Sequence, residues 1–297
     1  MEANNAVSIK HESERKRQWK KTWNRFMKNK LSVVGLAIIV IIFLSSLLAP
    51  WIAPYPEDIG AVVNFDRAQQ PPSLEHFFGT DEVGRDIFSR VLYGSRLSLI
   101  LCFTVMIIAV GIGVPLGLIA GFWGGAINTI IMRTTDVFLA IPSLVLALAV
   151  AAVFEPSLLN TMIAISFGWW PWFTRLVQGE VLKVKNEQFV HASLGIGTSK
   201  FRIIFKEILP NCMAPIVVKV TLDMGFVLLL GASLGYLGLG AQPPTPEWGT
   251  MIAEGRTYLP EQWWSTTFPG LMIFITVLGF NLLGDGLRDV LDVELDD

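Results

Sequence analysis

The residues able to do chemistry are few and scattered. His11, His76 and His191 fall in three different segments, and Cys102 and Cys212 lie in or beside apolar blocks far apart in the chain. No His-Glu-x-x-His and no cysteine–histidine cluster occurs, so no metal centre is expected. One pair of cysteines gives no disulfide framework, and both read as reduced packing residues. There is no Gly-x-x-x-x-Gly-Lys-Ser/Thr loop, so the chain is not its own P-loop ATPase. A nucleophile elbow and catalytic residues are likewise not expected.

Ionisable groups inside a membrane usually mark an ion or proton path. Lys219 and Asp223 stand four apart in an apolar block, so on a helix they share one side. Two readings are open: a polar patch in a translocation path, or a mutually neutralised pair near the cytoplasmic end with the lysine snorkelling. A proton pump or voltage sensor would need more intramembrane charge. A further stretch, Glu187 to Asn211, combines an apolar stripe (Phe189, Val190, Leu194), the glycines Gly195 and Gly197, and a second stripe (Phe201, Ile204, Phe205, Ile208) ending at Pro210. It predicts a basic helix, glycine turn, helix. Such a unit either lies on the bilayer surface or docks into a groove on another protein.

These residues need elements to position them. The 297-residue chain is 52% hydrophobic and only 16% charged, where soluble domains carry about 25%. That excludes disordered, collagen-like and disulfide-scaffold classes and argues against a soluble enzyme. Apolar blocks at 31–53, 97–122, 130–154, 158–176, 213–239 and 266–283 predict an all-α, polytopic membrane protein with six transmembrane helices. The first block makes roughly 33 Å of helix, enough to cross a ~30 Å hydrocarbon core. It is longer than the apolar region of a signal peptide and reads as a retained anchor. Trp169, Trp170, Pro171 and Trp172 predict a bend and an interfacial belt in the fourth block. Gly113, Gly117 and Gly121 recur every four residues, as do Gly231 and Gly235. That spacing lets a second helix approach closely, although glycine is common in membrane helices generally.

Charge sets the orientation. With the N-terminus inside, seventeen of the 23 Lys and Arg are cytoplasmic: nine in residues 1–30, then Arg133, Arg175, Lys183, Lys185, Lys200, Arg202, Lys206 and Arg288. Only Arg67, Arg85, Arg90, Arg96 and Arg256 fall outside. The positive-inside rule therefore places both termini and residues 177–211 in the cytoplasm, and residues 54–96 and 241–265 outside.

The stretch His191-Ala192-Ser193, then Gly197, then Leu209-Pro210 resembles the "EAA" loop of ABC-transporter permeases. That pattern is Glu-Ala-Ala, three residues, Gly and a downstream Leu-Pro; here histidine replaces the glutamate and serine the second alanine. GTDEVGRDIFSRVLYGSRLSL (79–99) resembles the segment before the second span in permeases for dipeptides, oligopeptides and related cargo such as nickel and glutathione. LGLGAQPPTPEWGTM (237–251) and FNLLGDGLRDVLD (280–292) resemble that family's fifth-span end and C-terminus. The resemblance covers almost the whole chain beyond the N-terminal tail and is closest to the "C" type of the two permease subunits.

The resemblance implies a type I ABC importer permease in a bacterial inner membrane. Its partners would be a second homologous six-helix permease, two cytoplasmic P-loop ATPase subunits carrying ATP and Mg, an extracytoplasmic binding protein and membrane lipid. No cofactor in this chain and no nucleic acid is expected. Phe189, Val190, His191, Ala192, Ser193, Leu194, Gly197, Leu209 and Pro210 would couple the permease to an ATPase subunit. Asp81, Glu82, Arg85 and Asp86 give the outer segment mixed charge on exposed turns; they would meet the binding protein, or else cap the bundle. The expected organisation is a basic tail (1–30), a first helix with its outer loop (31–96), a five-helix core (97–285) containing the loop 177–211, and an acidic tail (286–297). Dipeptides or short peptides are the first expectation for cargo; D-amino-acid peptides, glutathione, nickel and a metal chelate stay open. A stand-alone secondary transporter and a membrane scaffold or enzyme are the competing classes.

Overall fold

The computed structural model describes residues 23–292; most of the basic tail and the last five residues lie outside that range. Among the described residues the chain is helical, with no strand. Helix α1 (Lys30–Ile52) starts at Asn29, whose side chain accepts from the Leu31 and Ser32 N–H groups. Helix α2 (Ile87–Trp123) is capped by Asp86, whose carboxylate accepts from Ser89 N–H at 2.8 Å. Helices α3 (Gly125–Leu139) and α4 (Ser143–Ala151) form a pair bent by 85°. Pro142 sits at that bend, since a proline disfavours helical backbone in the residue before it. Helix α5 (Leu158–Val184) runs on through Pro171. A short α6 (Gln188–Gly195) precedes α7 (Lys200–Ile203), a π turn (Ile204–Ile208) and α8 (Leu209–Tyr236). A short α9 (Trp248–Gly255) follows, and α10 (Trp264–Asp292) closes the bundle.

Four continuous helices are long and apolar enough to cross a membrane: Lys30–Ile52, Ile87–Trp123, Lys200–Tyr236 and Trp264–Leu291; the α3–α4 pair makes a fifth candidate. The fourth expected span lies within α5, which has 27 residues but mixes Trp, Asn, Arg and Gln into its apolar run. Three boundaries differ from the expectation. Helix α2 begins ten residues before Leu97, because its polar first turns are buried in ion pairs rather than solvated. Helix α10 extends beyond the sixth block, so residues 286–292 are helical. The second hook helix does not stop at Pro210. A π turn there pairs Leu209 N–H with Ile204 O, five residues back. The wider turn leaves room for the proline ring, and the chain stays helical from Lys200 to Tyr236.

Helix α2 packs against α5 along the glycine stripe. A Cβ at Gly113 would lie 2.5 Å from Trp170 O, one at Gly117 2.7 Å from Thr174 O, and one at Gly121 2.6 Å from Val181 Cβ. The backbones meet where any side chain would hold them apart. Helix α1 lies on α10. A large core joins α2, α5, α8, α9 and α10. A smaller core beside the hook gathers Val114, Leu118, Val177, Val181, Val190, Ile203, Ile208 and Cys212. Cys102 and Cys212 are both buried and unbridged. Trp169 and Trp170 are buried too and only Trp172 is exposed, so this cluster does not form the expected interfacial belt.

Candidate functional site

The hook after α5 is built by one turn. Gly197 takes φ +78°, Thr198 N–H donates to Ser193 O at 3.0 Å, and Gly197 N–H to Leu194 O at 3.1 Å. This is a Schellman cap, which needs a left-handed residue at the glycine. Gly195 is an ordinary helical residue, so Gly197 alone makes the reversal. Val190 is wholly buried in the smaller core and holds α6 from behind. Ser193 Oγ donates to Glu207 Oε1 at 2.8 Å, tying α6 to the π turn. Lys185 Nζ donates to Gly121 O at 3.0 Å, fixing the approach to the hook against the end of α2. Phe189, His191, Ala192 and Leu194 are exposed, as are Ile196 (83%) and Phe201 (67%). Leu209 is half-buried and Pro210 exposed at the start of α8. The hook thus presents an apolar surface on a braced base. The sequence reading missed the brace, Glu207 and Lys185, since lone charges in a basic loop look solvated.

Asp81, Arg85 and Asp86 are buried, which corrects the expectation of exposed turns; Glu82 is partly covered. Arg85 Nε lies 2.6 Å from Asp81 Oδ2. Arg90, 1% exposed, reaches Glu254 Oε2 at 3.1 Å and donates to Pro244 O at 3.1 Å. Asp86 Oδ1 meets His76 Nδ1 at 2.9 Å, and Asp58 Oδ2 accepts from Asp86 N–H at 2.8 Å. This outer cap links the 54–86 segment, the start of α2 and the loop around α9. Burial is the main cause that raises the Asp58 and Glu82 carboxyls above their ordinary range. Glu247 caps α9, accepting from Thr250 N–H at 3.0 Å and Ser98 Oγ at 3.1 Å; burial raises it too, against the pull of those donors. Trp248 Nε1 donates to Val91 O at 3.0 Å, pinning α9 to α2.

Within the bundle, Lys219 Nζ lies 3.0 Å from Asp223 Oδ2, and Trp169 Nε1 donates to the same oxygen at 2.9 Å. The pair joins α5 to α8. The chain also contains one Gly-x-Ser-x-Gly spacing, Gly231 to Gly235, where no nucleophile elbow was expected. It lies inside α8 and Ser233 Oγ donates to Leu229 O at 2.7 Å, without the strand-to-helix turn that exposes such a serine.

Residues 113–296 match the family described as binding-protein-dependent transport system inner membrane component. The chain belongs to this family. Residues 17–72 match the N-terminal transmembrane domain of oligopeptide transport permease C. The permease is 45% identical to the dipeptide transport system permease protein DppC of Alkalihalophilus pseudofirmus, over 93% of this chain and 90% of that one. It is 44% identical to the di/tripeptide transport system permease protein DppC of Pseudomonas aeruginosa, covering 93% and 92% of the two chains. It is 45% identical to the probable D,D-dipeptide transport system permease protein DdpC of Escherichia coli K12, covering 88% and 87%. Its fold resembles a chain of the inward-facing MetNI methionine ABC transporter, with TM-score 0.55 and 18% identity over 68% of this chain and 96% of that one. The permease is therefore a multi-pass inner-membrane protein and a membrane subunit of an ABC importer, which sets aside the stand-alone transporter.

Proposed function

We propose that this permease is the "C"-type subunit of an importer that moves dipeptides or short peptides inward, driven by ATP hydrolysis in two partner subunits. The exposed apolar hook around Gly197 carries this reading. Its outward-facing side, Phe189, Leu194, Ile196 and Phe201, suits a cleft on an ATPase subunit, and its buried base transmits force into α8. The chain itself is non-catalytic; ATP and Mg belong to the partners. A second six-helix permease completes the path, and a binding protein delivers cargo to the outer face. Both termini and the loop 177–211 are cytoplasmic, by the distribution of Lys and Arg. The tail 1–30, the 31–96 unit, the 97–285 core and the end segment 286–297 are its parts. Lys219 and Asp223 border the path. The peptide cargo follows from relatives whose names specify di- and tripeptides at 44–45% identity.

The test is uptake by the complete complex in liposomes, with calorimetry of the partner binding protein. Micromolar binding of a dipeptide and its ATP-dependent accumulation are expected. Uptake of nickel or glutathione with no dipeptide uptake would refute the cargo, and uptake without the ATPase subunits would refute the mechanism.

A further inference from the structure

In the cytoplasmic third of the bundle three helices bring charge to one side. Helix α3 supplies Arg133 and Asp136, α5 supplies Trp172 and Arg175, and α8 supplies Lys219 and Asp223. Arg175 pairs with Asp136, and Arg133 Nη1 lies 4.0 Å from Asp136 Oδ2. Lys219 Nζ sits 5.4 Å from the centre of the Trp172 ring and 5.7 Å from that of Phe173. Trp172 and Arg175 are three apart on α5 and so stack along one face. Helical spacing thus brings the Trp172 ring under Lys219 within about one turn of Arg175 and its partner Asp136. The depth of this group is fixed by Gly113, against which Phe173 packs. Gly113 lies ten residues before the end of α2 at Trp123, about 15 Å along the axis.

Three cations face two carboxylates here, leaving one positive charge. The members of the deeper pair differ in access: the Lys219 side chain is 23% exposed and that of Asp223 9%. Asp223 already accepts from Trp169 and Lys219. Lys219 has three donors and a single carboxylate partner. An ammonium at this depth is costly to leave against lipid hydrocarbon; beyond Asp223, Lys219 Nζ meets the faces of Trp172 and Phe173, and the rest of its side chain is open.

We infer that Lys219, backed by the Trp172 ring and followed by Arg175, is an inner-side subsite for the carboxylate of the peptide cargo. This rests on the peptide reading above. A zwitterionic peptide offers an ammonium and a carboxylate. Asp223 is too buried to take the first, whereas Lys219 is open to the second. Arg175 then offers the next cation about one helical turn nearer the cytoplasm.

The experiment uses the complete complex in liposomes and reads dipeptide moved per ATP hydrolysed. The double variant Lys219→Met/Asp223→Asn removes both charges together, so no buried charge is stranded, and Asn still accepts from Trp169. The ratio is expected to fall at least tenfold, and Lys219→Arg is expected to restore most of it in an otherwise native chain. An unchanged ratio in the double variant overturns the subsite, since a merely structural pair lowers transport and hydrolysis together. As a second measurement, p-benzoylphenylalanine in place of Trp172 should photocrosslink radiolabelled dipeptide during turnover; no adduct overturns the subsite. A wild-type complex that moves no dipeptide overturns the peptide reading and this one with it, whereas dipeptide uptake with an unaltered double variant overturns this one alone.

Discussion

Substitution at Gly197 separates backbone strain from steric clash unusually cleanly. Nothing lies within 4 Å of where its Cβ would stand, so a side chain there meets open space. Within this chain the cost is the left-handed backbone at φ +78°. For alanine that is about 1–2 kcal/mol; asparagine tolerates the region better, and valine is worst, near the ~3 kcal/mol upper end for strained residues. At 1.4 kcal/mol per tenfold, the cap population shifts by about 5-fold to more than 100-fold across the series. Gly195→Ala is the control: it is helical, equally uncrowded, and should be neutral or slightly stabilising. The assay is transport and binding-protein-stimulated ATP hydrolysis by the purified complex, with subunit stoichiometry checked. Activity should rank Gly, Asn, Ala, Val. Wild-type transport by Gly197→Val, or Ala outperforming Asn, would refute the reasoning.

Further expectations follow from other parts of the bundle. In a background lacking Cys102 and Cys212, a cysteine at Ser73 should react with an impermeant reagent outside intact cells and one at Ser199 should not; labelling of Ser199 from outside reverses the topology. Gly117→Leu should cost about 1–3 kcal/mol by overpacking the α2–α5 contact, while Gly111→Leu, with nothing within 4 Å, should be near neutral in thermal unfolding. Arg90→Leu leaves Arg85 as the remaining cation for Asp81 and Glu254 and takes the donor from Pro244 O, so it should cost about 1–3 kcal/mol, seen as weakened assembly rather than selectively lost binding-protein response. The raised Glu247 carboxyl holds a proton more readily folded than unfolded, so its contribution to stability is present below the ordinary glutamate range and is lost as pH rises through the raised folded value. Glu247→Gln should flatten that fall in melting temperature; an identical pH profile in both proteins rejects it.

What the sequence revealed depended on how local each cause was. The α2–α5 contact was legible because three glycines at a four-residue spacing encode it directly. Gly197 was legible as a turn for the same reason, although the brace by Glu207 needed the fold to bring residue 207 back to residue 193. The outer cap was misread because Asp81, Arg85 and Asp86 look solvated until Glu254 and Pro244, remote in the chain, and the nearby His76 surround them and their neighbour Arg90. The tryptophans of α5 were misplaced because composition suggests an interface, while the acceptor of Trp169, Asp223, lies 54 residues away. The stop at Pro210 failed because proline forbids a regular α turn but not a π turn.

Continuity from Lys200 to Tyr236 makes the hook one end of a rod. Thirty-seven residues span about 55 Å, from the exposed apolar surface of the hook to the loop held by α9. A pivot of about 5° at the hook would swing the far end by about 5 Å, by the length of such a rod. Gly235, whose Cβ would fall 2.6 Å from Glu247 Oε2, couples that far end to α9 with almost no slack. The π turn beside the hook and Pro215 beyond it are where this rod departs from a regular α ladder. A displacement at one end of this helix is thereby carried to the other through a single shaft.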